Sequence, residues 1–357
     1  MKASIPILAV LVGGLSFPGF SPQTTPPPLG QRPPSAAPNS DRRVTLDIVV
    51  NDHAGHAVPG LQQQDFTILD NKVPQTILSF RATQAGSAPP DRPLQAILVV
   101  DAVDTPEEGI AYQRQQLARF LQQGEGDLPV PVSLLLLTDT ARTPSVATRD
   151  RNTLLSSLGS LQSGLRLIGR AQGFYGATDR FKICMGAFER LVVFERTQPG
   201  RKLVIWLGPG WPLLTGPQVQ LNAKTQESIF HSVVALSTVL REAGVTLYDV
   251  DLIGPSENLA QALYYEGFQK GVPSANKVAA GNLGLQVLAV QSGGRVLNSS
   301  SDMASSIESC LQDTQAFYTL TFDSPPADHP DEYHNLQIKI DRPKLTAHTR
   351  TGYYAQP

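Results

Sequence analysis

Four continuous apolar runs, each followed by a longer stretch of helical spacing, constrain this chain more than any other feature of its sequence. The runs are Ala96 to Val100, Val132 to Leu137, Leu203 to Leu207 and Val245 to Val250. A strand apolar at every position is buried on both faces, which happens when helices cover both sides of a parallel sheet. The segments between and after them carry the helical spacing that crossovers need: Glu107 to Gln123, Asp150 to Leu161, Asp179 to Glu195, Gln226 to Ala243, Asn282 to Ser292 and Asp302 to Thr314. This pattern predicts a doubly wound α/β unit with a mostly parallel sheet over residues 93–315.

Short strands flank that unit on both sides. Val44, Leu46, Ile48 and Val50 alternate with Thr45, Asp47 and Val49, and Phe66 to Leu69 and Thr76 to Phe80 follow as further strands. Near the other end Tyr318, Leu320 and Phe322 alternate, then Leu336, Ile338 and Ile340. Isolated hairpins are marginal, so residues 41–82 and 316–357 are expected to pair into one small β-sandwich into which the α/β unit is inserted. A length of 357 residues suits two such domains.

The first 40 residues belong to neither. Met1-Lys2 precedes an apolar run from Ala3 to Leu15, and Gly14-Leu15-Ser16 has the small-x-small spacing of a cleavage site, so residues 1–17 are expected to be a signal peptide. The run falls short of the roughly 20 apolar residues a membrane span needs, and no transmembrane segment is expected beyond it. Residues 18–40 hold eight prolines and one charged residue, Arg32, the composition of a stiff spacer. The expectation is an exported protein, periplasmic or extracellular. With 29 basic and 31 acidic residues the net charge is -2, which excludes the broad basic field that nucleic-acid binding draws on.

Catalytic patterns are missing from the sequence. It contains no Gly-x-Ser-x-Gly elbow, no His-Glu-x-x-His pair, no phosphate loop and no dinucleotide fingerprint. The histidine pairs His53/His56 and His329/His334 fall in polar, turn-like stretches, and Asn298-Ser299-Ser300 marks a polar loop ahead of a helix cap at Asp302. The two cysteines, Cys184 and Cys310, sit among apolar neighbours on expected helices and are read as free buried thiols, with a disulfide as the alternative. The chain is not expected to be an enzyme.

Several stretches, in order along the chain, carry a resemblance. Arg43 to Asp52 (RVTLDIVVND), Val58-Pro-Gly-Leu with Asp65 to Asn71 (DFTILDN), Pro199 to Leu207 (PGRKLVIWL), Ala243 to Asp251 (AGVTLYDVD) and Ser292-Gly-Gly-Arg are followed by Asp313, Tyr318-Thr-Leu, His334 to Ile340 and Arg350 to Ala355. Together they resemble a bacterial family of exported proteins called VWFA-related. The resemblance runs over about residues 43 to 355 and no single motif bears it alone. It implies a von Willebrand factor A-like, Rossmann-type central domain that binds proteins, often through one divalent metal at the C-terminal edge of the sheet. In that family the metal is held by an Asp-x-Ser-x-Ser turn, a Thr from a second loop and an Asp after the central strand, oxygen ligands suited to Mg²⁺.

Carried over residue by residue, that site is degenerate. Asp101 and the hydroxyl of Thr105 match the first turn, but the middle Ser is Val103, with Asp104 one position out of phase as a substitute. Thr178 matches the second loop, and Gly208-Pro-Gly-Trp211 follows the central strand with no carboxylate. The same residues have a local reading. Thr105-Pro-Glu-Glu is a complete helix start with Thr as N-cap, Thr178 and Asp179 sit where the next helix would be capped, and Asp101 would accept backbone N–H groups in its turn.

One apolar loop stands apart. Trp211, Leu213 and Leu214 lie just past the central strand, at the edge where open α/β sheets bind ligands, and read either as a partner-binding anchor or as a loop tucked under its own neighbours. The expected function is an exported, non-enzymatic protein-binding or adhesion module. The alternative is a structural or assembly component of the envelope whose β-sandwich makes the contacts.

Overall fold

The computed structural model describes residues 42–84, 93–138, 144–160, 173–213, 221–251, 263–298, 300 and 302–357. The first strands are β1 (Arg43–Asn51), β2 (Phe66–Asp70), β3 (Val73–Gln75) and β4 (Ser79–Gln84). The α/β region follows as β5 (Leu94–Asp101), α1 (Glu107–Gln123), β6 (Val132–Leu137), α2 (Arg151–Ser160), α3 (Gly173–Arg196), β7 (Arg201–Leu207), α4 (Ala223–Glu242), β8 (Val245–Val250), α5 (Leu285–Gln291), β9 (Val296–Leu297) and α6 (Met303–Gln312). Last come β10 (Ala316–Asp323), β11 (Glu332–Ile340), β12 (Thr346–His348) and β13 (Gly352–Ala355).

The central sheet has the order β6-β5-β7-β8-β9, and all its pairings are parallel. Its continuous apolar runs divide by alternation between two cores. Ile97, Val99, Val204, Trp206 and Leu247 pack with Phe188, Val233 and Leu288 from α3, α4 and α5. Leu98, Val100, Ile205, Leu207 and Val250 pack with Leu117, Leu154 and Ile307 from α1, α2 and α6. This is the mixed α/β architecture, with helices on both faces, that the apolar rhythm predicts. Helix starts follow local chemistry: Asn222 Oδ1 accepts from Thr225 N at 2.9 Å, Asp302 Oδ1 from Ser305 N at 3.2 Å, and Asp150 Oδ2 from Thr153 N at 2.9 Å.

Strand β7 starts two residues before its apolar run, with Arg201 and Lys202 3 % and 1 % exposed. Lys202 is tolerated there because its Nζ donates to the carbonyls of Glu195 at 2.9 Å, Gln198, and Ala243 at 3.1 Å. One ammonium thereby satisfies carbonyls at the C-terminal ends of both α3 and α4.

Strands from the two ends of the chain interleave in two further sheets, ordered β12-β1-β10-β4 and β13-β11-β2-β3. Their alternating apolar faces share one core of Val44, Leu46, Ile48, Phe66, Ile68, Tyr318, Leu320, Phe322, Leu336 and Tyr353. The strand expected over Thr76 to Phe80 begins only at Ser79 and runs on to Gln84 as β4, which pairs with β10, while β3 before it pairs with β2 in the other sheet. Residues 76–78 are the crossing. Among the described residues no helix is long and apolar enough to cross a membrane. Residues 1–41, with the whole of the expected signal peptide and spacer, lie outside the described residues.

Candidate functional site

In the central sheet the first parallel strand, β5, lies between the second and third, β6 and β7. Connections leave β5 and β7 toward opposite sides, and the crevice between their C-terminal ends is where open α/β sheets bind ligands. Asp101 ends β5 and Gly208 follows β7 at this point.

The Asp101 side chain is fully buried and its oxygens are engaged. Oδ1 accepts from Val103 N at 2.8 Å and Asp104 N at 3.1 Å, and Oδ2 accepts from Trp206 Nε1 at 3.1 Å. Burial, then the charge of Asp104, push its carboxyl up to about 7, against the opposing pull of those donors. Asp104 Oδ1 accepts from Arg180 Nε at 2.8 Å, and its Oδ2 accepts from Cys184 Sγ at 3.3 Å. Burial and the two nearby carboxylates push the Cys184 thiol far up, so it stays protonated and donates. Cys184 and Cys310 are both free and buried.

Thr105 does not cap α1. The N-cap position falls on Pro106, which makes no side-chain cap bond, and the Thr105 hydroxyl turns inward to accept from Gln113 Nε2 at 3.1 Å. The capping-box reading of Thr-Pro-Glu-Glu is therefore corrected: with Pro106 itself as the cap, Thr105 becomes part of the buried turn. Thr178 is not a helix cap either, because α3 starts at Gly173 and places Thr178 inside the helix, 7 % exposed. Val103 is buried in the core beside Cys184 and offers no oxygen.

At the first position after β7 there is no room for a side chain. Gly208 has φ +148°, and a Cβ there would lie 2.9 Å from Asp101 Cβ and 3.1 Å from Thr105 Oγ1. The backbone itself fills the position. On the next strand Asp249, in register with Trp206, is also fully buried. Its Oδ2 accepts from Gln286 Nε2 at 2.9 Å, and burial followed by the charge of Asp251 holds its carboxyl well above the usual range. Gln286 is fixed in turn by Tyr264, whose hydroxyl donates to Oε1 at 2.7 Å.

Asp101, Asp104 and Cys184 bring three potential ligand atoms within 4.8 Å of one another, close enough to share one metal ion. The set fits Mg²⁺ poorly. A hard cation takes six or so oxygens, whereas here one donor is a protonated thiol and the Arg180 guanidinium already holds Asp104. An ion entering this turn competes with the indole of Trp206, the thiol proton and a resident cation. The sequence singled out Asp101, Asp104 and Thr105 for this site and Cys184 only as a buried thiol, and it did not single out Arg180 or Gln113. Arg180 and Cys184 are four apart on α3 and so share a helix face, which was the available signal.

Trp211 is not exposed. It is 3 % accessible, its Nε1 donates to Leu283 O at 2.6 Å, and its ring lies 5.4 Å from that of Trp206 and 5.6 Å from that of Phe188. The anchor reading is corrected in favour of the tucked loop: an indole satisfied by a carbonyl and by aromatic neighbours gains nothing by facing water. Leu213 is half-buried, and Leu214 lies outside the described residues. Tyr175, in the first turn of α3, is an exposed aromatic at 67 % accessibility.

No protein-family model matches the chain, and no curated protein matches it. Solved structures similar to it include the human COPII-coat protein Sec24c, at 10 % identity and TM-score 0.31 over 73 % of this chain and 44 % of that one. BatB from Bacteroides thetaiotaomicron is similar at 14 % identity and TM-score 0.30, over 62 % of this chain and 96 % of that one. Manganese-loaded TRAP protein of Plasmodium vivax is similar at 8 % identity and TM-score 0.30, over 79 % and 99 %. The chain spans less than half the length of the Sec24c chain. Likenesses at this level carry no functional conclusion.

Proposed function

We propose that this chain is an exported, non-enzymatic protein-binding module. Its α/β domain, residues 93–315, is inserted in a β-sandwich built from residues 41–82 and 316–357, and it binds a protein through the C-terminal edge of the parallel sheet without requiring a metal. The observation that carries the reading is the saturation of the switch-point crevice. Asp101, Asp104 and Cys184 are the groups a hydrolase or a metal-dependent site would use there, and each is buried and bonded within the protein. Chemistry needs a reachable acid, base or nucleophile. Polar groups engaged within the protein, with the exposed Tyr175 in the first turn of the neighbouring helix, suit contact instead.

The apolar N-terminal run supports export, and the sequence resemblance supports a type A-like module. The test is site-specific photocrosslinking in the producing cell, with the probe at Tyr175 or at Leu78 near the crossing between the two sheets. A discrete protein adduct from Tyr175 supports binding at the sheet edge. Adducts only from Leu78 would move the contacts to the sandwich and favour an envelope-assembly role, for which the exposed Val73 and Leu78, 59 % and 48 % accessible, are the motivating feature. Adducts from neither position would end both readings.

A further inference from the structure

At the opposite, N-terminal edge of the parallel sheet lies a polar cavity of 430 Å³ where the α/β region meets the interleaved sheets. Arg43, Arg196, Arg241 and Arg350 line it, against the carboxylates of Asp47 and Glu242. Two of the arginines are spoken for: Arg43 pairs with Asp323 at 3.1 Å and Arg196 with Glu242 at 3.4 Å. Arg241 and Arg350 are different. Among the described residues their guanidinium groups make no hydrogen bond and no ion pair, although Arg350 is only 8 % exposed.

The usual partners for such cations are already taken. Arg241 is in the last turn of α4, where a cation can bind helix carbonyls, but Lys202 Nζ holds those of Glu195, Gln198 and Ala243. Asp47 is held by the Thr319 hydroxyl at 2.7 Å and faces Arg201 Nε at 4.0 Å. Burial, then the charge of Arg241, lower Arg350 to about 10, only partly offset by the carboxylate of Asp47.

The arrangement is rigid. Arg350 sits on the segment joining β12 to β13, and that segment is pinned to the end of α5. Thr351 N donates to Gln291 O at 3.3 Å, and a Cβ on Gly293 would lie 2.8 Å from Arg350 N. Two hydroxyls, Thr45 and Thr246, line the same cavity and have no hydrogen-bond partner among the described residues.

We propose that this cavity binds a phosphate-type oxyanion, either inorganic phosphate or the phosphoryl group of a small molecule, through Arg350 and Arg241 with the hydroxyls of Thr45 and Thr246. Two cations with no directly bonded carboxylate match a dianion better than a single carboxylate, and two guanidinium forks with two hydroxyls offer more donors than the two oxygens of a carboxylate can use. A buried unpaired charge is costly, and a bound anion removes that cost.

The test uses the whole chain, with inorganic phosphate, glycerol phosphate and succinate compared against chloride at matched ionic strength, by calorimetry and thermal unfolding. Saturable phosphate binding is expected, with the unfolding midpoint raised by about 4 °C at a hundredfold excess over Kd. Tighter binding of the ester than of free phosphate would assign the ligand to a small phosphorylated molecule, and the reverse to inorganic phosphate. Arg350→Met and the half-exposed Arg241→Gln should each weaken binding at least about tenfold. In chloride, Arg350→Met should unfold no lower than the wild type, because an unpaired charge has been removed. No phosphate effect beyond chloride, unchanged affinity in both variants, a response to succinate alone, or a clear loss of stability of Arg350→Met in chloride would each overturn the assignment.

Discussion

Replacing Gly208 by alanine asks whether backbone closes the crevice at the end of β5. Two costs add in Gly208→Ala. The φ of +148° is one that residues with a side chain rarely adopt, and holding one there costs about 1–3 kcal/mol. The new Cβ also lands 2.9 Å from Asp101 Cβ and 3.1 Å from Thr105 Oγ1. Both residues are 0 % exposed and bonded on their far sides, so neither gives way freely, and overpacking a filled site costs about 1–3 kcal/mol more. The expected loss is about 2–6 kcal/mol, a large part of the roughly 5–15 kcal/mol that holds a domain folded. Gly55→Ala is the control, since Gly55 has φ +84° with nothing within 4 Å of the added Cβ, leaving only a backbone term of about 1–2 kcal/mol. Urea unfolding followed by tryptophan fluorescence reads both, because Trp206 and Trp211 are buried beside the site. If Gly208→Ala proves no less stable than Gly55→Ala, the loop yields at Asp101 and the closed crevice is refuted.

Other expectations follow from the same geometry. Trp211→Ala should cost about 3–5 kcal/mol in unfolding experiments, and a loss under 1 kcal/mol would show that the loop is not part of the core. In its native state Cys184 should resist thiol reagents at pH 8 and react only on unfolding, as mass mapping would reveal; rapid native labelling would contradict a buried, protonated thiol. Mg²⁺ should give no saturable heat at millimolar concentration, whereas a site lost in Asp104→Asn would show that Arg180 can be displaced. His334 should make stability fall with rising pH. Its Nδ1 lies 2.9 Å from Asp70 Oδ1, and that bond raises its pKa above the ordinary 6.5. Its contribution is therefore complete below about 6.5 and lost as pH climbs through the higher folded value. Subtracting the pH profile of His334→Gln from that of the wild type should isolate the decline; a flat difference would remove the argument.

How much was legible depended on whether a residue's neighbours were near in sequence. Strands β6 and β8 match their apolar runs end to end, because a doubly covered strand needs only local hydrophobicity. Strand β7 starts earlier than its run because Lys202 is satisfied by carbonyls at the ends of two helices, one of them 41 residues away. Thr105 misled for the opposite reason. Its local pattern is a good helix cap, yet a glutamine two turns further along the helix claims the hydroxyl. Asp101 stood out as an acid ending a buried strand, but its partner Trp206 comes from β7, 105 residues on. The arginine cavity left no trace in the sequence, since β1, α3, α4 and the stretch before β13 each contribute one member.

The pairing of β1 has a consequence for when this protein can take shape. Its partners are β10 and β12, with Arg43 opposite Asp323 and Val49 opposite His348. Apart from the bridge of Asn51 to Ala57 at its very end, nothing before β10 pairs with β1 among the described residues. While the α/β region can collect its strands in order of synthesis, the first strand waits for almost the last. At roughly 5–20 residues per second, an apolar strand stays unpaired for something like a quarter of a minute to a minute. Contacts of such long range also close slowly. The segment that begins the fold is thus the one left longest without its partner, and any factor that shields a nascent chain would matter most to its opening strand.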